Sequence, residues 1–402
     1  MAIKLLLLVG CSQIPVAHAA EFEPAPLDPS LAGWQQLTGA WRVEDGVLIG
    51  TAPEGEMAWL LHERELGDVE VELEWRTPKP ANGGLQFRSH WLPRLPLKAG
   101  EDVAAAPRLM YGYQANIETR QKAASGRVVD ESGRGALAEP AAEASKTLKQ
   151  KDWNTMRVVA VGTKIEVYLN EVLAVSLEDE GMLKGYLGFQ VAPYDAGQGP
   201  AEVQYRNIRV KDLGRAEHWK PLFNGTDLTG WKTYGSEIWE VADGTIVGKS
   251  GPKKSEGYLA TEQSYKDVHV RGQFKMLGAG NYGLFYHSTI TLKEDGYPMI
   301  AGIQGEVDPE YPSKTGWLYE SYKRGWLVEP SYDTAAAAAL RPGEWNEIEI
   351  RVQGKRTTTW VNGVRAVDFD DPAPNLTEGQ LALQLHVGGA EGIVWRELYV
   401  RE

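Results

Sequence analysis

The chain has a single cysteine, Cys11, and fewer basic residues than acidic ones, with 42 Lys and Arg against 55 Asp and Glu. Because there is no cysteine after Cys11, an internal disulfide and a cysteine-ligated metal site are excluded for the mature protein. The formal net charge of −13 argues against nucleic acid as a partner, because such proteins need clustered cations to contact phosphates. No apolar run approaches the roughly 18 residues that a transmembrane helix needs, so we predict no membrane span.

The first 27 residues are interpreted as a signal peptide followed by a Pro/Ala-rich tether. Lys4 precedes the short apolar segment LLLLVG (5–10), which is a signal-peptide pattern. AHA at 17–19 has the form of an ordinary signal peptidase site, whereas LVGC ending at Cys11 resembles a bacterial lipobox, whose cysteine is lipidated. Both routes stay open. We therefore predict an exported bacterial protein, periplasmic or an outer-membrane lipoprotein with a lipid anchor at Cys11.

Nearly all of the remaining sequence is an internal repeat. VEDGVLIG ending at Gly50 matches VADGTIVG ending at Gly248, and GYQANIE (112–118) matches GIQGEVD (302–308). SGRVVDESGRG (125–135) matches TGWLYESYKRG (315–325), and Gln190 matches Gln384. The offset drifts by a few residues, which indicates loops of different length between fixed elements. We predict two domains, at residues 28–213 and 217–402.

Each copy has the pattern of an all-β domain. Segments such as DVEVELEWR (68–76) alternate apolar and polar residues, the period-2 signature of half-buried antiparallel strands. Asn170-Glu171 and Asn362-Gly363 each separate two strand patterns and predict tight hairpins. Helix-prone stretches are confined to 141–151 and 335–340. Many short strands in about 186 residues indicate a two-sheet sandwich or jelly roll.

Several short motifs, in the same order in both copies, resemble the 3-keto-disaccharide hydrolase family, formerly a domain of unknown function. They are FNGTDLTGW (223–231), the W-x-V-x-D-G turn, GGLQFRS (83–89), GYQANIE, VVDESGRG (128–135) and the closing W-N…V-N-G hairpin. The resemblance implies two tandem concanavalin-like antiparallel β-sandwiches. It also implies secretion and action on glycosides whose C3 hydroxyl has been oxidised to a ketone.

Such a reaction has definite chemical requirements. The C3 ketone acidifies the C2 proton, so that a base can remove it, the C1 oxygen can leave by β-elimination, and water can then add. The site needs a base, a donor or cation for the enolate oxygen and an acid for the leaving group. For the second copy we predict an acid/base set whose first three members share one strand face. Its members are Gln304, Glu306, Asp308, His287, Glu320 and Arg324, with Tyr319 as a substrate-binding residue.

In the first copy the position of Glu306 holds an amide, Asn116, so this copy is expected to be weaker or inactive. Its predicted substrate-binding residues are Arg88, Gln114, Glu118, Asp130 and Arg134. Family members that carry Glu at the positions of Gln114 and Gln304 would place the base there, in which case both copies lack it. The elimination needs no redox cofactor. The sequence neither requires nor excludes a divalent ion that polarises the ketone.

Two other functions stay open. Glu306-Val307-Asp308-Pro309-Glu310 spells E-x-D-x-E, a motif of retaining glycosidases, although Pro309 disturbs a central strand and the first copy has no such triad. A carbohydrate-binding protein without catalysis is the other alternative, because lectins use this fold and two sites raise avidity. In every case the predicted partner is an oligosaccharide or another glycoside.

Overall fold

The computed structural model describes residues 21–25, 27–95, 106–120, 124–214, 219–253, 255–308, 313–329, 334–386 and 391–402. Cys11 and both predicted processing sites lie outside these residues, so export and a lipid anchor stay predictions. Neither helix found in the described part has the length and apolar character of a membrane span.

The first copy contains one short helix and fifteen strands in its described residues. They are β1 Glu23–Pro24, β2 Trp34–Thr38, β3 Ala40–Glu44, β4 Val47–Ala52, β5 Ala58–Leu66, β6 Asp68–Arg76, β7 Asn82–Pro93, β8 Arg108–Glu118, β9 Val128–Glu131, β10 Gly135–Ala138, α1 Ala142–Lys146, β11 Asn154–Val161, β12 Lys164–Leu169, β13 Val172–Glu178, β14 Gly185–Ala192 and β15 Ala201–Gly214.

The second copy repeats this order. Its elements are β16 Lys220–Pro221, β17 Trp231–Gly235, β18 Ile238–Ala242, β19 Thr245–Lys249, β20 Gly257–Tyr265, β21 Val268–Met276, β22 Tyr282–Leu292, β23 Pro298–Val307, β24 Leu318–Glu320, β25 Gly325–Trp326, α2 Ala335–Ala339, β26 Asn346–Gln353, β27 Arg356–Val361, β28 Val364–Asp370, β29 Gly379–Leu385 and β30 Ile393–Arg401.

Each copy is a sandwich of an eight-stranded and a seven-stranded antiparallel sheet. The seven-stranded sheets have the order β10-β9-β8-β7-β14-β5-β2 and β17-β20-β29-β22-β23-β24-β25. The eight-stranded sheets have the order β13-β12-β11-β6-β15-β4-β3, with β1 on β15, and β18-β19-β30-β21-β26-β27-β28, with β16 on β30. This architecture confirms the prediction of two tandem all-β sandwiches.

Alternation along the strands explains why the two sheets face each other. In β6, Val69, Val71, Leu73 and Trp75 are buried and the residues between them are half-buried. These side chains join residues of the seven-stranded sheet, such as Phe87, in one apolar core. The face of each seven-stranded sheet that points away from this core is called the outer face below.

The two predicted hairpins are confirmed. Asn170 and Glu171 have φ values of 47° and 67°, and Asn362 and Gly363 have 50° and 81°, as a turn that matches strand twist requires. Gly363 has a second reason to lack a side chain, because a Cβ atom there would lie 2.5 Å from Cβ of Lys184. The helices are shorter than the helix-prone segments, since α1 stops at Lys146 and α2 at Ala339.

The second hairpin also connects the two copies. Met182 and Val364 form a β-bridge, and the Leu183 amide donates to the Gly363 carbonyl at 2.7 Å. Ala336 and Ala339 of α2 pack in the hydrophobic core of the first copy. The described residues of the two copies are therefore in direct polar and apolar contact.

Candidate active site

A polar row lies on the outer face of the second seven-stranded sheet. Along β23, Ile303 and Val307 point into the core, so Gln304 and Glu306 point outward by alternation. Both are almost fully covered, with 4% of each exposed. The predicted arrangement of these two residues on one strand face is present in the structure.

Strand order brings further residues to Glu306. Glu306 pairs with Gly283 on β22, Gly283 with Gln384 on β29, and Gln384 with Tyr258 on β20. Gly283 is required here, because a Cβ atom would lie 2.6 Å from the Gln304 side chain. Strands are spaced by about 4.8 Å, so Gln384 and Glu306 are about 10 Å apart across the glycine. That width is comparable to a sugar ring with its hydroxyls.

The Glu306 carboxyl is held by amide groups. Asn281 donates through Nδ2 to Oε1 of Glu306, and Gln304 donates through Nε2 to Oε2 at 3.0 Å. Lys314 acts on Glu306 from a distance but forms its ion pair with Asp308, at 3.2 Å. Burial, together with the charge of Asp308, raises the pKa of Glu306 to about 8, against the opposing effects of Asn281 and Lys314. Glu306 can therefore exchange a proton near neutral pH.

A tyrosine cluster lies beyond Gln384. The hydroxyls of Tyr258 and Tyr322 both donate to Oε2 of Glu256, at 2.8 and 3.0 Å. Burial and the Glu256 charge raise the pKa of Tyr258 and of Tyr322, so both remain hydrogen-bond donors. Oε1 of Gln384 is buried and has no hydrogen-bond partner among the described residues. Tyr322 is the exposed member of this cluster and can contact a sugar hydroxyl, whereas Tyr258 is fully buried.

Asp308 and Tyr319 also lie next to this row. Asp308 follows the last residue of β23, is buried, and is paired with Lys314. Tyr319 on β24 pairs with Gln304, and its ring packs edge-on against Trp326 at 5.2 Å between centroids. The structure thus brings together Gln304, Glu306, Asp308 and Tyr319 of the predicted set.

His287 and Arg88 do not join this row, which corrects their predicted catalytic and substrate-binding roles. Each occupies a bulge with positive φ, 47° and 48°. The His287 ring nitrogens contact the carbonyl oxygens of Leu376 at 3.0 Å and Lys266 at 2.6 Å. Arg88 is buried and donates to the Gly67 and Gly162 carbonyls at 2.9 and 2.7 Å. Both side chains hold backbone loops in place.

Glu320 and Arg324 point away from Glu306. Glu320 pairs with Ile303, a core residue, so it lies on the face opposite to Gln304. Arg324 donates to Glu320 and makes two bonds of 2.8 Å to Asp371. This triad ties the β24–β25 turn to the end of β28, and we assign it a structural role instead of the predicted catalytic one.

The same triad occurs in the first copy, which corrects the predicted role of Asp130 and Arg134. Arg134 donates to Asp130 at 2.5 Å and to Asp179 at 2.7 and 2.9 Å. Asp130 pairs with Tyr113, a core residue, so it too lies on the inner side of its sheet. Arg134 and its two carboxylates therefore link strands and loops in the way that Arg324 does.

The outer face of the first copy keeps the row but not its carboxyl. The residues Asn116, Gly84, Gln190 and Trp59 occupy the places of Glu306, Gly283, Gln384 and Tyr258 of the second copy.

The polar side chains of the first copy bind one another. Gln114 donates to Oε1 of Gln190 at 2.8 Å and to Glu131 at 3.2 Å. Glu118 binds Arg120 and Asn82. Burial and Asp130 raise the pKa of Glu131 to about 7, so this copy has its protonatable carboxyl one strand away from Asn116.

Sequence reasoning missed Asn281, Glu256, Tyr258 and Gln384 as site residues. The match of Gln190 with Gln384 in the repeat was the one signal available for them. Among the described residues, no group of three or more His, Cys, Asp or Glu side chains is arranged to hold a metal ion. Glu310, the last member of the E-x-D-x-E motif, lies outside these residues.

Comparison with known families supports the resemblance seen in the sequence. Residues 27–211 and 218–401 each match the model of the 3-keto-alpha-glucoside-1,2-lyase-like domain. No curated protein matches the chain.

Solved structures resemble about half of the chain. A putative glycosyl hydrolase from Parabacteroides distasonis ATCC 8503 is 22% identical, covering 46% of this chain and 94% of its own, with a TM-score of 0.35. Carbohydrate binding module CBM66 from Bacillus subtilis is 19% identical, covering 46% and 99%, with a TM-score of 0.35. A Bacillus subtilis protein of unknown function with a galectin-like fold is 15% identical, covering 48% and 98%, with a TM-score of 0.36.

Proposed function

Because the chain belongs to the 3-keto-alpha-glucoside-1,2-lyase-like domain family, we propose that it cleaves glycosides that carry a ketone at C3. The reaction is assigned to the outer face of the second copy. The observation that carries this assignment is Glu306, a buried carboxyl held by two amides on the sheet face that points away from the sandwich core. A carboxyl of this kind with a pKa of about 8 is suited to proton transfer.

In the proposed reaction Glu306 acts as the base. Its carboxylate takes the proton from C2, and the electrons of that C–H bond form an enolate with the C3 ketone. The enolate then collapses to a C1=C2 double bond as the C1–O bond breaks, and the leaving oxygen takes up the proton that Glu306 removed from C2, which restores the Glu306 carboxylate. Addition of water across C1=C2 gives the free 3-keto sugar.

The residues around Glu306 divide the remaining tasks. Asn281 and Gln304 orient the carboxyl through their amide donors. The buried and unpartnered Oε1 of Gln384, about two strands away, accepts a sugar hydroxyl when the substrate binds. Tyr322, which is exposed and gives its hydroxyl proton to Glu256, offers its hydroxyl oxygen as an acceptor at the far end of the row. The substrate thus lies across Gly283, with C2 facing Glu306.

The direct test is mass spectrometry of the purified protein with a 4-nitrophenyl 3-keto-glucoside, in both anomers, beside the same glucosides unoxidised. We expect nitrophenol and a 3-keto sugar from the keto substrate alone, with or without chelator. Cleavage of the unoxidised glucosides would favour a conventional glycosidase. Cleavage of neither would refute the proposal and leave a carbohydrate-binding protein.

The pH profile of this reaction should follow the ionisation of the Glu306 carboxyl. A base must be ionised in the free enzyme, so kcat/KM is expected to rise about tenfold per pH unit below pH 8 and to level off above it. Initial rates between pH 5.5 and 9.5, corrected for the enzyme-free elimination, give the profile. A decline of kcat/KM above about pH 8 would show that Glu306 works as an acid and would contradict the assignment as base.

A further inference from the structure

A cleft lies on the outer face of the first copy, where α2 of the second copy approaches it. Its volume is about 560 Å³, within the range of about 300–1,000 Å³ that is usual for small-molecule sites. The floor is formed by Leu37, Leu61, Trp91 and Tyr186, and residues 338–341 form one wall. This cleft is separate from the row around Glu306, which belongs to the other copy.

The floor carries aromatic rings that the second copy does not have. Trp91 pairs with Met110 in the first copy, and Ile290 occupies the same place opposite Ile300 in the second. Tyr186 pairs with Ser89, and the corresponding Gln380 pairs with Ser288. Trp91 and Tyr186 are both only half-buried. Two partly accessible rings on adjacent strands form a platform on which the apolar face of a sugar can stack.

Polar groups surround this platform. Glu65 binds Arg341 of the second copy at 2.9 Å and Lys184 at 3.2 Å, and these two cations lower its pKa in spite of its burial. The other polar residues of the lining are Gln35, His62, Glu63, His90 and Arg108. Of the charged residues that line the cleft, Glu63 and Glu65 are acidic and Arg108 and Arg341 are basic, so the cleft offers hydrogen bonds without an excess of one sign. A polyhydroxylated, uncharged ligand fits this lining best.

From this geometry we propose that the cleft of the first copy is a non-catalytic binding site for a neutral oligosaccharide, with Trp91 and Tyr186 as its stacking platform. The site needs both copies, because Arg341 and the end of α2 close it. It does not depend on the proposed reaction at Glu306. A substrate chain bound here would be kept close to the second copy, since the copies are joined by the Met182–Val364 bridge.

The test is isothermal titration calorimetry with the full chain and three unoxidised probes, maltohexaose, cellohexaose and laminarihexaose. Wild type is expected to bind at least one of them at one site per chain. Trp91→Ile and Tyr186→Gln each give the first copy the residue of the second, and each should weaken binding by about tenfold or more. Trp153→Ile, at a half-buried tryptophan stacked on Arg206, is the matched control and should leave binding unchanged.

Two results would overturn the proposal: no binding of any probe at millimolar concentration, or binding by both platform variants within about threefold of wild type. Far-ultraviolet circular dichroism checks that each variant is folded. If Trp91→Ile does not fold, the result for Tyr186→Gln decides the test. Turnover of the 3-keto glucoside, measured on the same samples, reports the reaction separately. A variant that loses sugar binding but keeps turnover would therefore support the binding site in this cleft without bearing on the reaction at Glu306.

Discussion

Replacing Glu306 by glutamine is expected to lower kcat/KM for a 3-keto glucoside by at least about 100-fold, the usual loss when a positioned proton-transfer group is removed. Glutamine has nearly the same shape, and its side-chain oxygen can still accept from Asn281 or Gln304, so substrate binding should change little. Initial rates and the dissociation constant of an unreactive analogue, compared between the two proteins, separate the two effects. A variant with more than a tenth of the wild-type rate would contradict the assignment.

The stability of this variant gives an independent check. Burial raises the pKa of Glu306 to about 8 from 4.5, so in the folded state the carboxyl holds a proton that the unfolded chain releases above about pH 4.5. Folding is therefore penalised increasingly as the pH rises from 4.5 towards 8. Glu306→Gln removes this penalty, and its melting temperature should equal or exceed that of wild type, with the difference growing over that range. A destabilised variant would mean that the activity loss reflects a damaged fold.

The first copy supplies the matched controls for this experiment. Asn116 occupies the place of Glu306, and Asn116→Ala should leave turnover within about twofold if the second copy carries the reaction. Glu131 is the protonatable carboxyl of the first copy, with a pKa of about 7. Glu131→Gln is likewise expected to retain activity. Loss of turnover in this variant would move the reaction to the first copy.

The fold could be predicted from the sequence because its signals are local or repeated. The period-2 alternation of β6, the Asn362-Gly363 turn and the duplicated motifs each specify strands or hairpins over a few residues. The outward direction of Gln304 and Glu306 follows from the same alternation. These features need no knowledge of which strands become neighbours.

The rest of the site depends on strand order, which the sequence does not display. Gln384 lies about 10 Å from Glu306 because β29 is the neighbour of β22 in the sheet, although almost eighty residues separate Glu306 and Gln384 in the chain. Alternation could have excluded Glu320, since its neighbour Tyr319 takes the Gln304 side of the sheet and adjacent residues point to opposite faces. His287 and Arg88 were misassigned for another reason, because a bulge redirects their side chains to backbone carbonyls.

Arg324→Ala is expected to destabilise the protein by about 3 kcal/mol. Glu320 and Asp371 are 1% and 5% exposed, and without the guanidinium both carboxylates would be buried unpaired. This loss of unfolding free energy is at the lower end of the range for breaking a buried ion pair, because 28% of the Arg324 side chain is exposed. Urea unfolding gives the free energy, and hydrogen exchange should show faster exchange in β24 and at the end of β28. Arg134→Ala, in the matching triad, should instead affect β9.

The pH dependence distinguishes this ionic role from simple packing. Arg324 lowers the pKa of Asp371 below its usual 3.8, so the pair stabilises the folded state fully above that value and loses its effect as the pH falls through the lowered pKa. The difference in unfolding free energy between wild type and Arg324→Ala should therefore shrink on acidification below about pH 4. A difference that stays constant down to pH 2.5 would mean that Arg324 stabilises the turn through its alkyl chain, and that its contacts with Glu320 and Asp371 contribute little.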